Sequence, residues 1–414
     1  MYEAARAGAK KLSPLLNSTY NCFMHWLHNS IKEYAWGSFT ALPEFLGRPS
    51  PAPRPQAELW VGAHPRGTSR LWQGGQWVPL DVFLSRTPEA LGPGWRSLPF
   101  LLKVLAVEKP LSLQAHPNAQ QARQGYARER RLGLPPEACN YVDANHKPEL
   151  LCALTPFEAL LGFEAPTRLW PLFEALALPG LQPCLPLLRQ ADEAQALRTF
   201  FQSLLRWPPA KRPGLLAAAK PALLRLAQEG EFANKAALAL RLREAYPEDM
   251  GVLASLCLNL VRLKPLEAVY VPAGCLHAYM HGLGVEVMAN SDNVLRGGLS
   301  PKRVEVEALL SMLCFESYVP RVQTALPGPG EAWVLEAPVE EFCFSLVRVA
   351  PRAPFAPKRS GPELLLVLEG KAVAQGPAGT LSFGRGQSAF VSADEGPYML
   401  MGEALVARVT TGGA

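Results

Sequence analysis

Apolar and polar positions in this chain follow two periods, and the switch between them outlines its organisation. Short strand-like runs come first: Ala57-Glu-Leu-Trp-Val-Gly and Gly75-Gln-Trp-Val-Pro-Leu. Residues 50–56, Ser-Pro-Ala-Pro-Arg-Pro-Gln, hold too much proline for a helix or central strand and predict a surface loop. From 165 to 262 the texture is rich in Leu, Ala, Arg and Glu and poor in β-branched residues, which favours helix. Lys235-Ala-Ala-Leu-Ala-Leu-Arg-Leu-Arg-Glu-Ala is strongly helix-favouring. Leu253, Leu256 and Leu260 recur at helical spacing behind a candidate cap at Asp249. Strand signals return at Ala268-Val-Tyr-Val-Pro-Ala-Gly and Gly284-Val-Glu-Val-Met-Ala. They continue through Phe342-Cys-Phe-Ser-Leu-Val-Arg-Val, Glu363-Leu-Leu-Leu-Val-Leu-Glu-Gly and Ser388-Ala-Phe-Val, with glycine-containing turns between them.

This order predicts a mainly β protein of two jelly rolls with a helical domain inserted into the first. The expected divisions are an amino-terminal extension at 1–28, a discontinuous first β-domain at 29–164 and 263–325, the helical insertion at 165–262, and a second β-domain at 326–414. Met24 is a candidate alternative start, since patterned sequence begins just after it.

With 414 residues, 49% of them hydrophobic, the chain has ample material for a buried core. No window approaches the roughly 18 uninterrupted apolar residues of a membrane span. Residues 1–30 carry Lys10 and Lys11 and a weakly apolar stretch broken by asparagines, a poor signal-peptide core. The eight cysteines are dispersed and form no Cys-x-x-Cys pair, which predicts free, mostly buried thiols in a reducing cytoplasm. A net charge of +5 without a basic stripe argues against nucleic acid but suits a small anionic substrate. We expect a monomer with no membrane partner.

Candidate chemistry gathers in few places. If 111–116 is a strand, Ser112, Gln114 and His116 share one face while Leu113 and Ala115 face a core. Gln-x-His on one face offers an ion an oxygen and a nitrogen, although a solvated strand face would look the same. Pro272-Ala-Gly-Cys-Leu-His277 resembles the second motif of the cupin β-barrels, in which a tight turn delivers a His to a metal. Gly274 supplies the permissive backbone. The seven histidines are His25, His28, His64, His116, His146, His277 and His281. None follows His281, so a His-ligated metal belongs to the first β-domain. His25 and His28 are expected to be solvated.

Longer motifs then appear in order. They are Glu33-Tyr-Ala-Trp-Gly-Ser, Ala57-Glu-Leu-Trp-Val-Gly-Ala-His-Pro, Leu98-Pro-Phe-Leu-Leu-Lys-Val-Leu, Leu111-Ser-Leu-Gln-Ala-His-Pro and Asn145-His-Lys-Pro-Glu-Leu. Val271-Pro-Ala-Gly-Cys-Leu-His-Ala-Tyr and Ser291-Asp-Asn-Val-Leu-Arg-Gly-Gly-Leu-Ser-Pro-Lys complete the series. Across about 30–325 the chain resembles the type I phosphomannose isomerases, members of the cupin superfamily. The resemblance implies one zinc ion per chain, on Gln114, His116, Glu149 and His277. It also implies interconversion of mannose 6-phosphate and fructose 6-phosphate through an enediol, supplying GDP-mannose synthesis and glycosylation.

Motif context makes Arg296 the first candidate for a catalytic cation, able to hold substrate oxygens or phosphate bidentately. Lys302 and Ser112 are phosphate-binding candidates, and Lys103 and Lys147 add positive charge. Glu286, Asp292, His146 and Lys147 are all candidates for the base. Glu286 and Lys147 stand level, since Lys147 would need its pKa lowered several units. His146 could open the sugar ring or orient Glu149. Trp36, Tyr279 and His64 are candidate pocket-lining residues, with core packing the stronger reading for Trp36 and Trp60. Cys275 is read as inert packing rather than a fifth ligand. The rivals are a cupin metal oxygenase and a non-catalytic sugar-phosphate sensor. A sensor would be expected to have lost Arg296 or a ligand, and neither is lost.

Overall fold

Every residue of the strand Phe100–Val107 is buried, because both of its faces are packed. Leu105 and Val107 look into one apolar cluster with Leu151, Val271 and Tyr279. Leu102, Val104 and Ala106 look the other way, into a cluster shared with Leu364, Leu366 and Phe390 of the carboxy-terminal half. The first cluster is the interior of one β-barrel, and the second is the seam where a second β-unit packs on its outside. The computed structural model describes residues 24–412 apart from 303.

The first barrel contains a sheet ordered Gln323–Thr324, Glu267–Val271, Glu149–Ala153, His277–Ala289, Phe100–Val107, Glu58–Val61 and Ser30–Lys32. Its longest strand, His277–Ala289, closes the barrel by serving two sheets. Residues 282–289 pair with Phe100–Val107. Residues 277–281 pair with Phe157–Phe163, with a register shift between Tyr279 and His281. Such a shift bends a strand and lets it pass from one sheet to another. The short strands Leu113–Ala115 and Leu295–Gly298 lie beside its beginning.

The insertion is helical, as its composition predicts, with helices Pro166–Leu176, Glu193–Leu205, Arg212–Leu226 and Ala233–Ala245. Its core includes Leu197, Phe200 and Leu242 and continues into Leu113, Ala115 and Leu276 of the barrel. The helical texture ends earlier than residue 262. Leu253 lies in the helix Gly251–Ala254, Leu256 in a 3-10 turn, and Leu260 in the strand Leu258–Leu263. That strand is claimed by antiparallel pairing with Phe157–Phe163, a tertiary interaction that overrides leucine spacing.

The second β-unit reaches back to the start of the described chain. Its sheet runs Glu331–Leu335, Cys343–Val349, Met399–Thr410, Glu363–Gly376, Ser388–Val391, Met24–His28, Arg70–Gln73 and Gln76–Pro79. Residues 24–28 are therefore a strand and no extension, while 1–23 lie outside the described residues. His25 is buried, contrary to the expectation of a solvated ring, and meets Phe83 edge-on at 5.3 Å. His28 is exposed, as expected. In the core of this unit Glu363 accepts from Arg408 Nη2 at 2.8 Å and Nε at 2.9 Å, and from the Tyr398 hydroxyl at 2.5 Å.

Candidate active site

Two imidazoles and a carboxylate converge inside the first barrel. Glu149 opens its strand, His277 opens the long strand, and His116 follows Leu113–Ala115. All three are buried, and their ligand atoms lie within 4.8 Å of one another. His116 Nε2 is 3.3 Å from Glu149 Oε1, and His277 Nε2 is 3.3 Å from Glu149 Oε2. Gly274 adopts φ 74, the turn geometry its motif requires. Its N–H donates to the His116 carbonyl at 2.8 Å, tying the two histidine-bearing segments together.

The tautomers of both rings are fixed from behind. His116 Nδ1 donates to the Asn293 carbonyl at 2.7 Å, and His277 Nδ1 donates to the Cys275 carbonyl at 3.0 Å. Each Nε2 is thus a buried lone pair without a hydrogen-bond donor, turned toward a carboxylate. Burial, assisted by Lys147, pushes the His116 pKa down to about 4, so the ring is neutral near pH 7. Burial alone would raise the Glu149 carboxyl, but the Lys147 ammonium beside it holds it well below its ordinary value. Two lone pairs and a carboxylate facing one point repel one another unless a cation lies between them. The donor set fits a zinc-like ion. Gln114 sits opposite His277 and Arg296 in register, on the His116 face of its strand, where its side chain can complete the set.

A second row of polar groups crosses the large sheet. Trp60 pairs with Lys103, and Lys103 with Glu286. Lys103 Nζ donates to Glu286 Oε2 at 3.0 Å, with both groups almost fully buried. Burial and the nearby Glu149 raise the Glu286 carboxyl, with Lys103 opposing. Burial would lower the Lys103 ammonium, but Glu286, Glu58 and Glu149 outweigh it and hold it above its ordinary value. Lys147 Nζ lies 2.8 Å from Glu149 Oε1, and the Tyr279 hydroxyl donates to Glu149 Oε2 at 3.4 Å. Five ionisable residues, Lys103, Glu286, Tyr279, Glu149 and Lys147, therefore gather around one end of the barrel.

Comparison with known proteins settles the family. The profile for the phosphomannose isomerase type I catalytic domain matches residues 24–165, and that for the mannose-6-phosphate isomerase cupin domain matches 334–411. The mannose-6-phosphate isomerase of Escherichia coli (strain K12) is 38% identical over 395 residues, covering 93% of this chain and 99% of the relative. The chain belongs to the type I phosphomannose isomerases. Mannose-6-phosphate isomerase 1 of Arabidopsis thaliana is 33% identical over 395 residues, with 89% of each chain covered. A crystallised mutant of phosphomannose isomerase from Salmonella typhimurium superposes with TM-score 0.86 at 36% identity, covering 94% of this chain and 99% of that one. A zinc-bound mannose 6-phosphate isomerase gives TM-score 0.84 at the same identity and coverage. The match extends through the carboxy-terminal unit, where sequence motifs had shown only general character.

Type I phosphomannose isomerase motifs do not all gather at one point. Asp292 is held on the wall of a cleft of about 710 Å³, 3.2 Å from Arg66 Nη1 and 3.6 Å from His64 Nε2. His146 lines the same cleft, its Nε2 2.5 Å from Glu341 Oε1 of the carboxy-terminal half. Its contact is thus with Glu341, while the cation on Glu149 is Lys147. Trp36 is half-buried against the cluster holding Tyr279, so packing describes it. Cys275 is buried in that cluster, and burial pushes its thiol up to about 12, which leaves it inert packing. Arg296 is half-buried, and Lys302 is exposed. Arg296 is the largest influence lowering the Lys302 ammonium, which marks the two cations as neighbours. Ser112 immediately precedes the strand bearing Gln114. Sequence reasoning missed Asn293 and Glu341. Asn293 stands in a recognised motif, but its work is done by a backbone carbonyl, which no residue type announces.

Proposed function

We propose that this chain interconverts mannose 6-phosphate and fructose 6-phosphate, with one zinc ion on Gln114, His116, Glu149 and His277. The supporting observation is the pair of buried Nε2 lone pairs aimed at Glu149. Zinc bound there supplies a Lewis acid that polarises the substrate carbonyl and stabilises the developing oxyanion.

The rest falls to the chain. Isomerisation removes the C2 proton of the aldose to give an enediol, then delivers a proton to C1 as O2 becomes the carbonyl. Glu286 is the base we favour over Lys147. It is a buried carboxylate with a raised pKa, suited to taking and returning a proton. Lys147 is an ion-pair partner of Glu149 and better suited to donating to substrate oxygens. Lys103 balances the charge on Glu286. Arg296, Lys302 and Ser112 take the phosphate. His146 is the candidate for opening the sugar ring, and Asp292 shapes the wall through Arg66 and His64.

In this reading the chain supplies mannose 6-phosphate for GDP-mannose synthesis and glycosylation. It works as a monomer in the cytoplasm, consistent with the seven described cysteines all being free thiols. Among the described residues no helix is long and apolar enough to cross a membrane. A coupled assay on folded, zinc-loaded protein tests the activity. Formation of fructose 6-phosphate from mannose 6-phosphate is the expected result, and its absence rejects the reading.

A further inference from the structure

The helical insertion ends on a turn that grips the segment between Arg296 and Lys302. Asp249 Oδ1 accepts the Gly251 N–H at 2.7 Å, and Oδ2 accepts the Ser300 N–H at 3.3 Å. The Ser300 hydroxyl then accepts the Lys302 N–H at 3.0 Å. Backbones meet here without intervening side chains. A Cβ on Gly298, at φ +130, would lie 2.8 Å from Gly251 Cα and 2.9 Å from Asp249 Oδ1. A Cβ on Gly251 would lie 2.7 Å from the Leu299 nitrogen. Leu299 itself is held at φ 55, a left-handed conformation that a leucine adopts only when its surroundings impose it.

This grip bears on a cleft of about 950 Å³ between insertion and barrel, lined by Lys109, Tyr246, Asp249, Gly297, Gly298 and Ser300. The register of Leu295–Gly298 against Leu113–Ala115 slips between Arg296, opposite Gln114, and Gly298. The pairing that fixes Arg296 therefore becomes irregular immediately after it, and the Asp249 contacts take over. Arg296 and Lys302 flank the gripped segment, and like charges brought to one phosphate repel, so their spacing has to be imposed by the scaffold. We infer that Asp249 is a positioning residue, through which the helical insertion sets the spacing of Arg296 and Lys302 for the phosphate group of the substrate. The inference rests on the reading that these cations take a sugar phosphate.

The carboxylate matters because it accepts from two N–H groups on different segments. An amide in its place keeps one acceptor and turns an N–H₂ toward the other donor. Zinc-loaded, full-length Asp249→Asn and wild-type proteins are compared for KM, kcat, inhibition by inorganic phosphate, zinc content and melting temperature. Ser300→Ala, which removes only the hydroxyl relay to Lys302, serves as the second variant. We expect Asp249→Asn to raise both KM and the phosphate inhibition constant about tenfold, the loss of one charge-assisted hydrogen bond. Zinc content should stay near wild type, kcat should fall far less than in Arg296→Ala, and Ser300→Ala should shift the same constants by less. Unchanged phosphate inhibition in folded Asp249→Asn overturns the inference. So does a fall in melting temperature and kcat with KM unmoved. If Asp249→Asn does not fold, unchanged phosphate inhibition in Ser300→Ala overturns it. A wild type that makes no fructose 6-phosphate rejects the isomerase reading instead.

Discussion

The Nδ1 of His116 lies 2.7 Å from the carbonyl oxygen of Asn293. A carbonyl only accepts, so the ring proton stays on Nδ1 and the Nε2 lone pair faces Glu149. The Asn293 side chain is committed elsewhere. Its Oδ1 accepts from the Val142 N–H at 2.7 Å, and its Nδ2 donates to the Asp143 and Asn145 carbonyls at 2.9 and 2.8 Å. One residue thereby joins a candidate metal ligand to the loop leading into Lys147 and Glu149.

Replacing Asn293 with Ala should loosen both ends of that joint. The backbone groups of 142–145 would lose their buried partners, and the Asn293 carbonyl, which the substitution keeps, would hold the His116 ring less firmly once its segment is no longer anchored. Supports of this kind are worth roughly 10–100-fold in metal affinity. Chelator competition should show zinc binding weakened by about that factor, together with a lower melting temperature. Wild-type zinc affinity in the variant would reject the role given to Asn293.

The buried Lys103–Glu286 pair makes a prediction about pH. The base works unprotonated, so kcat/KM should fall as pH drops through the Glu286 pKa. Burial raises that pKa, so the acid limb should lie above the position set by an ordinary glutamate, about 4.3. Lys103 opposes the shift. Lys103→Met removes that opposition and should move the limb to higher pH, and it should destabilise the fold by about 3–5 kcal/mol. Glu286→Gln should lower kcat by roughly 10²–10⁴. A pH profile identical in wild type and Lys103→Met would exclude Glu286 as the group responsible for the limb.

Local pattern carried the fold wherever contacts are local or alternation is clean. Leu113 and Ala115 enter the core as alternation requires, leaving Gln114 and His116 on the opposite face. The leucine-rich segment folds into helices because its propensities and its packing agree. Distant pairing was harder to read. Met24–His28 is a strand because Ser388–Val391 lies beside it, and nothing near residue 24 signals that partner. Leu260 satisfied a helical spacing with Leu253 and Leu256 but lies in Leu258–Leu263, which pairs with a neighbouring strand. Glu149 reaches the histidines through its register opposite Met288, a relation that spacing along the chain does not encode. Asp249 read as a helix cap, but the cap position of Gly251–Ala254 is Met250, and Asp249, one residue earlier, instead holds the Gly251 N–H; its hold on Ser300 depends on the folded chain.

If Arg296 takes the substrate phosphate as proposed, its substitution separates phosphate recognition from metal binding. Arg296 pairs with Gln114 through the strand ladder, and among the described residues its side chain forms no ion pair with His116, Glu149 or His277. Arg296→Ala should therefore lower turnover strongly, by roughly 10²-fold or more if it stabilises transition-state charge, while zinc content stays at one ion per chain. Removing metal with a chelator should abolish activity in both proteins, and zinc should restore only the wild type. Loss of zinc in parallel with activity in Arg296→Ala would recast the residue as part of the metal site's scaffold.

The second β-unit holds a buried charge cluster in its core. Glu363 is fully buried and receives two donors from Arg408, one from Tyr398 and a longer one from Arg359 Nε at 3.4 Å. Arg408→Met removes the nearer of its two counter-charges and leaves only Arg359 at 3.4 Å, a loss of about 3 kcal/mol, the lower end for a broken buried pair. Removing both charges with Arg408→Met and Glu363→Leu should recover much of it, since an apolar pair needs no desolvated partner. Urea denaturation measures both effects, and KM and zinc content should stay at wild-type values throughout, because the cluster belongs to the second barrel's core. A shift in KM in the folded single variant would mean that this barrel bears directly on the substrate site.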